Sequence, residues 1–365
     1  MNILIVEGEA SNSLGGAEIS MFSYIKHLFK TNNSVFLAYE KEGDWLNKEN
    51  RVYFKATAQV NINSFTSQGF ISFFKNLNQF LVFAKSKNID VILTHTIHGF
   101  LLLRLANIFL KKSLVVYFKW VYTKPSIGFL NKFGIKAVNK AVFLPSVEDY
   151  WTKNGIRRNA KKIALYNGLN ISNKPPFNEN PIDKIVNLCY FGRITEGKGV
   201  HLVIEAISTY SNLNFSIYGK DDVNDSYFQY LNNLIDRKKL RERVTFKGFT
   251  HNPMFEMVKY DLVIVPSISY EAQGRVLFEA MFTKTLVIAT ENGGMPEILG
   301  QYRDILTFHT NTDSLKKKLN DIVNLSADEI KNIKDDLFKR FSDNYTEQKT
   351  HDKLDDFILD LKCNN

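Results

Sequence analysis

Two glutamates eight positions apart, Glu271 and Glu279 in Ser267-Ile-Ser-Tyr-Glu-Ala-Gln-Gly-Arg-Val-Leu-Phe-Glu-Ala-Met281, are the residues of this chain best suited to do chemistry. Each carboxylate offers two acceptor oxygens, which match adjacent hydroxyls such as those of a ribose or a hexose. The plainer alternative is a pair of solvated surface carboxylates, because charged side chains are mostly exposed. The neighbouring elements favour the first reading. Tyr260-Asp-Leu-Val-Ile-Val-Pro266 is a short apolar run of β-branched residues ended by a proline, the pattern of a buried strand. Glu271 then falls in the loop after that strand. Gly274 can open the next helix, where a glycine lets backbone amides approach a ligand at the positive end of the helix dipole. Glu279 follows about one turn inside. In an open α/β sheet ligands bind at the carboxyl ends of the strands, so both carboxylates are expected to face one crevice.

The elements that must position them repeat along the chain. A strand at Asn2 to Glu7, a loop with Gly15-Gly16, apolar residues at helical spacing (Ile19, Phe22, Ile25, Leu28) and a strand at Ser34 to Tyr39 form a βαβ unit. Strand patterns recur at 91–94, 114–117 and 141–144, separated by helix-length segments as a parallel sheet requires. Residues 167–181, rich in Asn and Pro, read as an interdomain linker. A second series follows, with strands at 185–191, 214–218, 244–247, 262–265 and 285–289 and helices at 201–210 and 227–236. The expectation is two doubly wound domains, 1–170 and 171–344, facing a cleft. The charged helical stretch from Ser326 to Lys362 has its last part, about 345–365, packing back on the first domain.

At 365 residues the chain exceeds the size at which one core keeps growing, in keeping with two domains. Its apolar fraction of 44% is ample for two cores. No apolar run approaches the length that spans a bilayer, and the start lacks the basic opening of a signal peptide, so a cytoplasmic protein is expected. Cys189 and Cys363 alone make neither a disulfide framework nor a zinc spacing. The net charge of +9 is unevenly spread: residues 1–175 hold 23 Lys and Arg against 10 Asp and Glu, and the remainder 24 against 28. A basic first half suits nucleic acid, anionic lipid headgroups or a phosphorylated acceptor.

Five motifs in order carry a resemblance: Gly15-Gly16-Ala17-Glu18, Asn167-Gly168, Gly192-Arg193 with Glu196-Gly197-Lys198-Gly199, the pair Glu271 and Glu279, and Gly293-Gly294-Met295-Pro296-Glu297. Together they resemble the retaining family-four glycosyltransferases (glycosyl transferases group 1), which have the two-Rossmann GT-B architecture. The resemblance spans nearly the whole chain. It implies a nucleotide-diphosphate sugar as donor, with the leaving diphosphate steadied by Arg193 and Lys198, since that group gains negative charge as its bond breaks. Glu279 would hold the ribose hydroxyls and Glu271 the transferred sugar. Ala272, Gln273, Gly274, Arg275 and Val276 would line the sugar and phosphates. Gly15 and Gly16 would approach the diphosphate from the first domain, while Glu18 equally suits the first turn of its helix. Tyr218-Gly219-Lys220 and Lys247-Gly248-Phe249 match loops that meet the nucleobase, although Phe249 equally suits a core. No Asp-x-Asp occurs in the sequence, so metal-independent transfer without a cofactor is expected.

Two departures from the family pattern bear on specificity. Glu271-Ala272-Gln273-Gly274 stands where Glu-Gly-x-Gly is common, and Lys119 stands where the family often has a histidine. That leaves His95, His98 and Lys119 as acceptor-side candidates, of which His95 is favoured as a neutral imidazole beside a hydroxyl. The spacing of the two histidines, with no matching Asp or Cys cluster, does not suit a metal. Residues 70–87 and 101–113 combine helically spaced apolar side chains with Lys75, Lys85, Lys87, Arg104, Lys111 and Lys112. They read either as core-facing helices or as a peripheral surface for an anionic membrane and a lipid-linked glycan acceptor in bacterial surface polysaccharide synthesis. The rival enzymes are a sugar-nucleotide epimerase or a phosphorylase on the same fold. A non-catalytic nucleotide-binding partner subunit is a further alternative. A nucleic-acid binder is disfavoured, because no such motif occurs and the acidic pair would repel a phosphate backbone.

Overall fold

The computed structural model describes the chain except residues 10–15, 43–45, 47, 63–68, 95–98, 119–134, 136–137, 139, 154–159, 173–174, 180–183, 221 and 364–365. The chain divides into two compact units, Met1–Asn167 with Thr350–Asn365, and Gly168–Lys349. Each is built on one parallel sheet.

In the first unit β1 (Asn2–Glu9), β2 (Ser34–Lys41), β3 (Ala56–Gln59), β4 (Val91–Thr94), β5 (Ser113–Phe118), β6 (Lys140–Phe143) and β7 (Lys161–Ala164) lie in the order β3-β2-β1-β4-β5-β6-β7. Side chains of a strand alternate between faces, so each strand feeds two cores. Ile3, Ile5, Val35 and Leu37 pack with helix Gly16–Lys30 and with Leu354, Phe357, Ile358 and Leu361 of the C-terminal helix Glu347–Cys363. Leu4, Val6, Phe36 and Ala38 pack on the other face with helices Phe70–Ser86 and Phe100–Leu110. The C-terminal helix is fixed further by Asp355, which accepts from the Tyr24 hydroxyl at 2.9 Å and meets His27 Nε2 at 2.7 Å.

In the second unit β8 (Asn187–Phe191), β9 (Asn214–Tyr218), β10 (Val244–Gly248), β11 (Leu262–Val265), β12 (Leu286–Thr290) and β13 (Thr307–Phe308) lie in the order β10-β9-β8-β11-β12-β13. The apolar run of β11 is buried throughout, as its continuous Leu-Val-Ile-Val requires.

Three differences from the sequence expectation have local causes. Residues 167–181 are not a free linker over their described part: the Asn178 amide donates to the Thr283 carbonyl at 2.8 Å, and Phe177 packs edge-on to Phe338. The charged stretch after Ser326 is two helices, Ala327–Asn344 and Glu347–Cys363. The break falls at Tyr345, which is buried and stacked on Phe278 at 4.6 Å, so burial of its ring outweighs helix continuation. Of the apolar residues at 70–84, Phe73, Leu77, Phe80 and Ala84 are buried, while Phe70 and Phe74 face outward.

Candidate functional site

The second sheet reverses its winding between β8 and β11. The chain steps outward from β8 to β9 and β10, returns to β11 beside β8, then steps outward to β12 and β13. Loops leaving the two strands at such a reversal diverge and open a crevice at their carboxyl ends. Here those loops are Gly192–Gly199 and Pro266–Gly274.

Backbone contacts hold the two loops together. The Gly197 carbonyl accepts from the amides of Ile268 and Ser269, each at 2.9 Å. Gly199 has φ +68°, and a Cβ there would lie 2.1 Å from the Pro266 carbonyl oxygen, so only glycine fits. From the other side Gly293, at φ +81°, would place a Cβ 2.1 Å from the Glu271 carbonyl oxygen, which accepts from the Gly294 amide at 2.9 Å. The Thr290 hydroxyl donates to the Ser267 carbonyl at 2.7 Å, and Asn292 Nδ2 donates to that of Ile268. The Gly-Gly-Met-Pro-Glu motif therefore supports the backbone of Glu271.

The charged groups follow from this frame. Lys198 ends the short 3-10 turn Glu196–Lys198, and its ammonium donates to the Glu271 carboxylate. The same carboxylate oxygen accepts from Ser267 Oγ at 3.3 Å. Both side chains of the ion pair are 24% exposed, close to solvent and to any incoming ligand. Lys198 and Glu271 are thus in direct contact. Arg193 is exposed, and its guanidinium makes no hydrogen bond or ion pair among the described residues. Its carbonyl accepts from the Tyr190 hydroxyl at 2.7 Å, which pins the start of the loop.

Glu279 lies in the helix Arg275–Phe282, is only 6% exposed and accepts from Arg275 Nε at 3.0 Å. Burial raises its carboxyl above the usual carboxylate range, with Arg275 pulling the other way. Gly274 is the residue before this helix, with φ +68°, and the amides of Arg275 and Val276 have no intrahelical acceptor in its first turn. Ala272 is half-buried and Gln273 buried.

The remaining predicted positions of this unit lie at the ends of neighbouring strands. The Gly192 amide donates to the Tyr218 carbonyl and the Gly219 amide to that of Gly248, each at 3.0 Å, tying the ends of β8, β9 and β10 into one rim. Lys247 is exposed. Phe249 is 66% exposed and meets the His251 ring edge-on at 4.8 Å, so it is not part of a core. An exposed ring at a strand's carboxyl end can stack on a planar base. Gly15, His95, His98 and Lys119 lie outside the described residues, as does the side chain of Glu18; Gly16 is the first residue of its helix. β1 and β4, which precede Gly15 and His95 in the chain, are paired neighbours at the reversal of the first sheet.

Sequence reasoning missed the supporting groups Ser267, Thr290 and Asn292, as well as His201. The His201 ring meets the Tyr227 hydroxyl at 2.8 Å, and burial lowers its pKa against the pull of Glu205 and Glu196. Ser267 and Asn292 stand within or beside the recognised motifs, and that proximity was the available signal. Among the described residues no group of three or more His, Cys, Asp or Glu could hold a metal ion.

Residues 172–337 match the family model described as glycosyl transferases group 1. The chain is 30% identical over 131 residues to a poly(ribitol-phosphate) alpha-N-acetylglucosaminyltransferase of Staphylococcus aureus, a match covering 35% of this chain and 25% of that protein. The chain spans less than half the length of the curated relatives it matches. In fold it is similar to the crystal structure of a glycosyltransferase from Rickettsia africae, with TM-score 0.85 and 21% identity, covering 100% of this chain and 99% of that one. It is likewise similar to an Anabaena protein solved in complex with UDP, with TM-score 0.82 and 18% identity, covering 99% and 100%. The fold is the GT-B architecture of such enzymes.

Proposed function

By residues 172–337 this chain belongs to the glycosyl transferases group 1 family, and we propose that it moves a hexosyl or N-acetylhexosaminyl unit from a nucleotide-diphosphate sugar to a glycan hydroxyl. One observation carries the reading: Arg193, Lys198, Glu271 and Glu279 all stand on the two loops, and the helix after one of them, that leave the strands of the sheet reversal. Glu279 accepts from the ribose hydroxyls, Glu271 from those of the transferred sugar, and the cations meet the diphosphate. Transfer is retaining and needs no metal. The bond between the anomeric carbon and the phosphate oxygen breaks, the acceptor oxygen bonds to that carbon on the same face, and the leaving phosphate takes the acceptor's proton. Arg193 and Lys198 counter the charge that develops on the leaving group.

UDP is favoured over GDP as the carrier, in keeping with the UDP bound to the Anabaena relative. The name of the Staphylococcus relative, a poly(ribitol-phosphate) alpha-N-acetylglucosaminyltransferase, supports an N-acetylhexosaminyl unit and a polymeric acceptor. We further propose that the acceptor is lipid-linked and met at the cytoplasmic face of the membrane. Exposed Phe70, Ile71 and Phe74 beside Lys75, and Ile108 and Phe109 before Lys111 and Lys112, support that reading. Binding of the protein to anionic vesicles at low salt tests it, and none would overturn it.

Thermal-shift screening against UDP, GDP, ADP and their common sugar conjugates identifies the donor. Product analysis with that donor carrying a labelled sugar then tests transfer. Glu279→Ala and Lys198→Ala are each expected to reduce transfer by at least about a hundredfold while remaining folded. Wild-type rates in both variants would overturn the proposal.

A further inference from the structure

The ammonium assigned to the diphosphate and the carboxylate assigned to the sugar are bonded to each other, and that contact has a consequence for how the two halves of a donor are held. The ammonium of Lys198 cannot face a phosphate oxygen at full strength while Glu271 neutralises it. Nor can Glu271 lose Lys198 without another donor, because its other side-chain contact among the described residues is the 3.3 Å hydrogen bond from Ser267 Oγ, and the side chain is three-quarters buried. A sugar hydroxyl is such a donor. Resting on the glycosyltransferase reading above, we infer that Glu271 and Lys198 form an exchange pair, in which the sugar takes over Glu271 as the diphosphate takes over Lys198.

Such a pair discriminates the intact sugar nucleotide from the bare nucleoside diphosphate. The full donor supplies both replacements, an anion for Lys198 and hydroxyls for Glu271. The nucleoside diphosphate supplies only the anion and must strand the carboxylate or share the ammonium. Once the sugar has gone to the acceptor, Glu271 recaptures Lys198 and the hold on the product nucleotide weakens. The loop frame favours exchange over wholesale movement. Glu271 is fixed through its own backbone carbonyl by the Gly294 amide, and the loop carrying Lys198 is fixed through the Gly197 carbonyl by Ile268 and Ser269. The side chains can then trade partners while both backbones stay in place. Arg193, exposed and outside this pair, is free to meet the diphosphate first.

The test is calorimetric titration of full-length wild type, Glu271→Gln and Glu271→Ala with two ligands: the nucleoside diphosphate and the matching sugar nucleotide identified in the donor screen. Removing the carboxylate releases Lys198, so both variants are expected to bind the nucleoside diphosphate roughly threefold to tenfold more tightly than wild type. The same variants should bind the sugar nucleotide no more tightly, narrowing or inverting the preference for the full donor. Equal changes for both ligands, or weaker binding of the nucleoside diphosphate, would overturn the inference and leave the transferase reading intact. Failure of the wild type to bind any sugar nucleotide would instead overturn that reading. Lys198→Met separates exchange from a general loosening of the site: in its background Glu271→Gln should no longer tighten nucleoside diphosphate binding. Tightening that persists there would sink the exchange pair.

Discussion

The two sheets of this protein share one scheme and differ in where they keep their charge. Both are parallel and wind outward in two directions from a reversal, β1 beside β4 in the first unit and β8 beside β11 in the second. Yet residues 1–175 carry 13 more basic than acidic side chains, and the rest of the chain carries four more acidic than basic ones. In the acidic half, a few cations stand on the loops of the reversal, one of them gripped by a carboxylate. In the basic half, described lysines such as Lys75, Lys111 and Lys112 lie on or just beyond outer helices, beside exposed apolar side chains. A shared topology sets where a crevice opens, and the side chains placed there decide its chemistry.

The strongest test of this contrast exchanges the roles of the cations. Arg193→Ala removes a positive charge from the reversal of the acidic half and should lower kcat by roughly a hundredfold to a thousandfold, with Arg193→Lys recovering part of it. Lys111→Gln with Lys112→Gln removes two charges from the basic half and should leave transfer to a water-soluble acceptor unchanged. Comparable kcat losses in both variants would erase the distinction between the halves.

That Arg193 stands on the loop after β8 was legible in the sequence, but its lack of a side-chain partner among the described residues, beside a paired Lys198, was not. The glycine spacing put both residues on one loop after a strand. The contact between Lys198 and Glu271 joins positions 73 residues apart, which no local pattern encodes. The strands that were legible are the buried apolar runs, such as β4, β11 and β12. Those missed, β3, β7 and β13, are edge strands: Ala56–Gln59 and Lys161–Ala164 are half-buried or exposed along their length, and Thr307–Phe308 is too short to carry a period. The roles of Ser267, Thr290 and Asn292 were not legible for a related reason. Ser267 donates to the Glu271 carboxylate, and Thr290 and Asn292 donate to loop carbonyls, and nothing local in the sequence marks such polar side chains for those partners.

A second, smaller effect sharpens what the basic half is for. Each lysine near an anionic bilayer contributes on the order of 1 kcal/mol, so the double variant at 111 and 112 should weaken vesicle binding by roughly tenfold to thirtyfold at low salt. Replacing Phe70 and Phe74 with serine should weaken it further in a manner that added salt does not mimic, because apolar insertion is not screened. Co-sedimentation with vesicles containing anionic lipid, across a salt series, measures both. Unchanged binding in the lysine variant would detach the basic charge from the membrane altogether.

The smallest expected effect returns to the acidic half and separates its two glutamates. Burial raises the Glu279 carboxyl, so the folded protein holds that proton more firmly than the unfolded chain does. The resulting stabilisation is complete below the unfolded pKa and is lost as pH rises through the higher folded value. Above that folded value the wild type keeps a buried charge with Arg275 as its ion-pair partner. Glu279→Gln keeps the shape, removes the charge and should raise Tm by about 2 °C at neutral pH. The gain should vanish in acid, where the wild-type carboxyl is also neutral. Glu271, whose side chain is 24% exposed and ion-paired to Lys198, should give no gain in Tm on conversion to Gln at neutral pH, because that change removes an ion pair near solvent. A Tm difference for Glu279→Gln that stays constant from acid to neutral pH would mean that the buried charge is fully compensated by Arg275. A gap that opens with pH, together with lost transfer, would identify Glu279 as a charge kept at a cost to stability for the hydroxyls it binds.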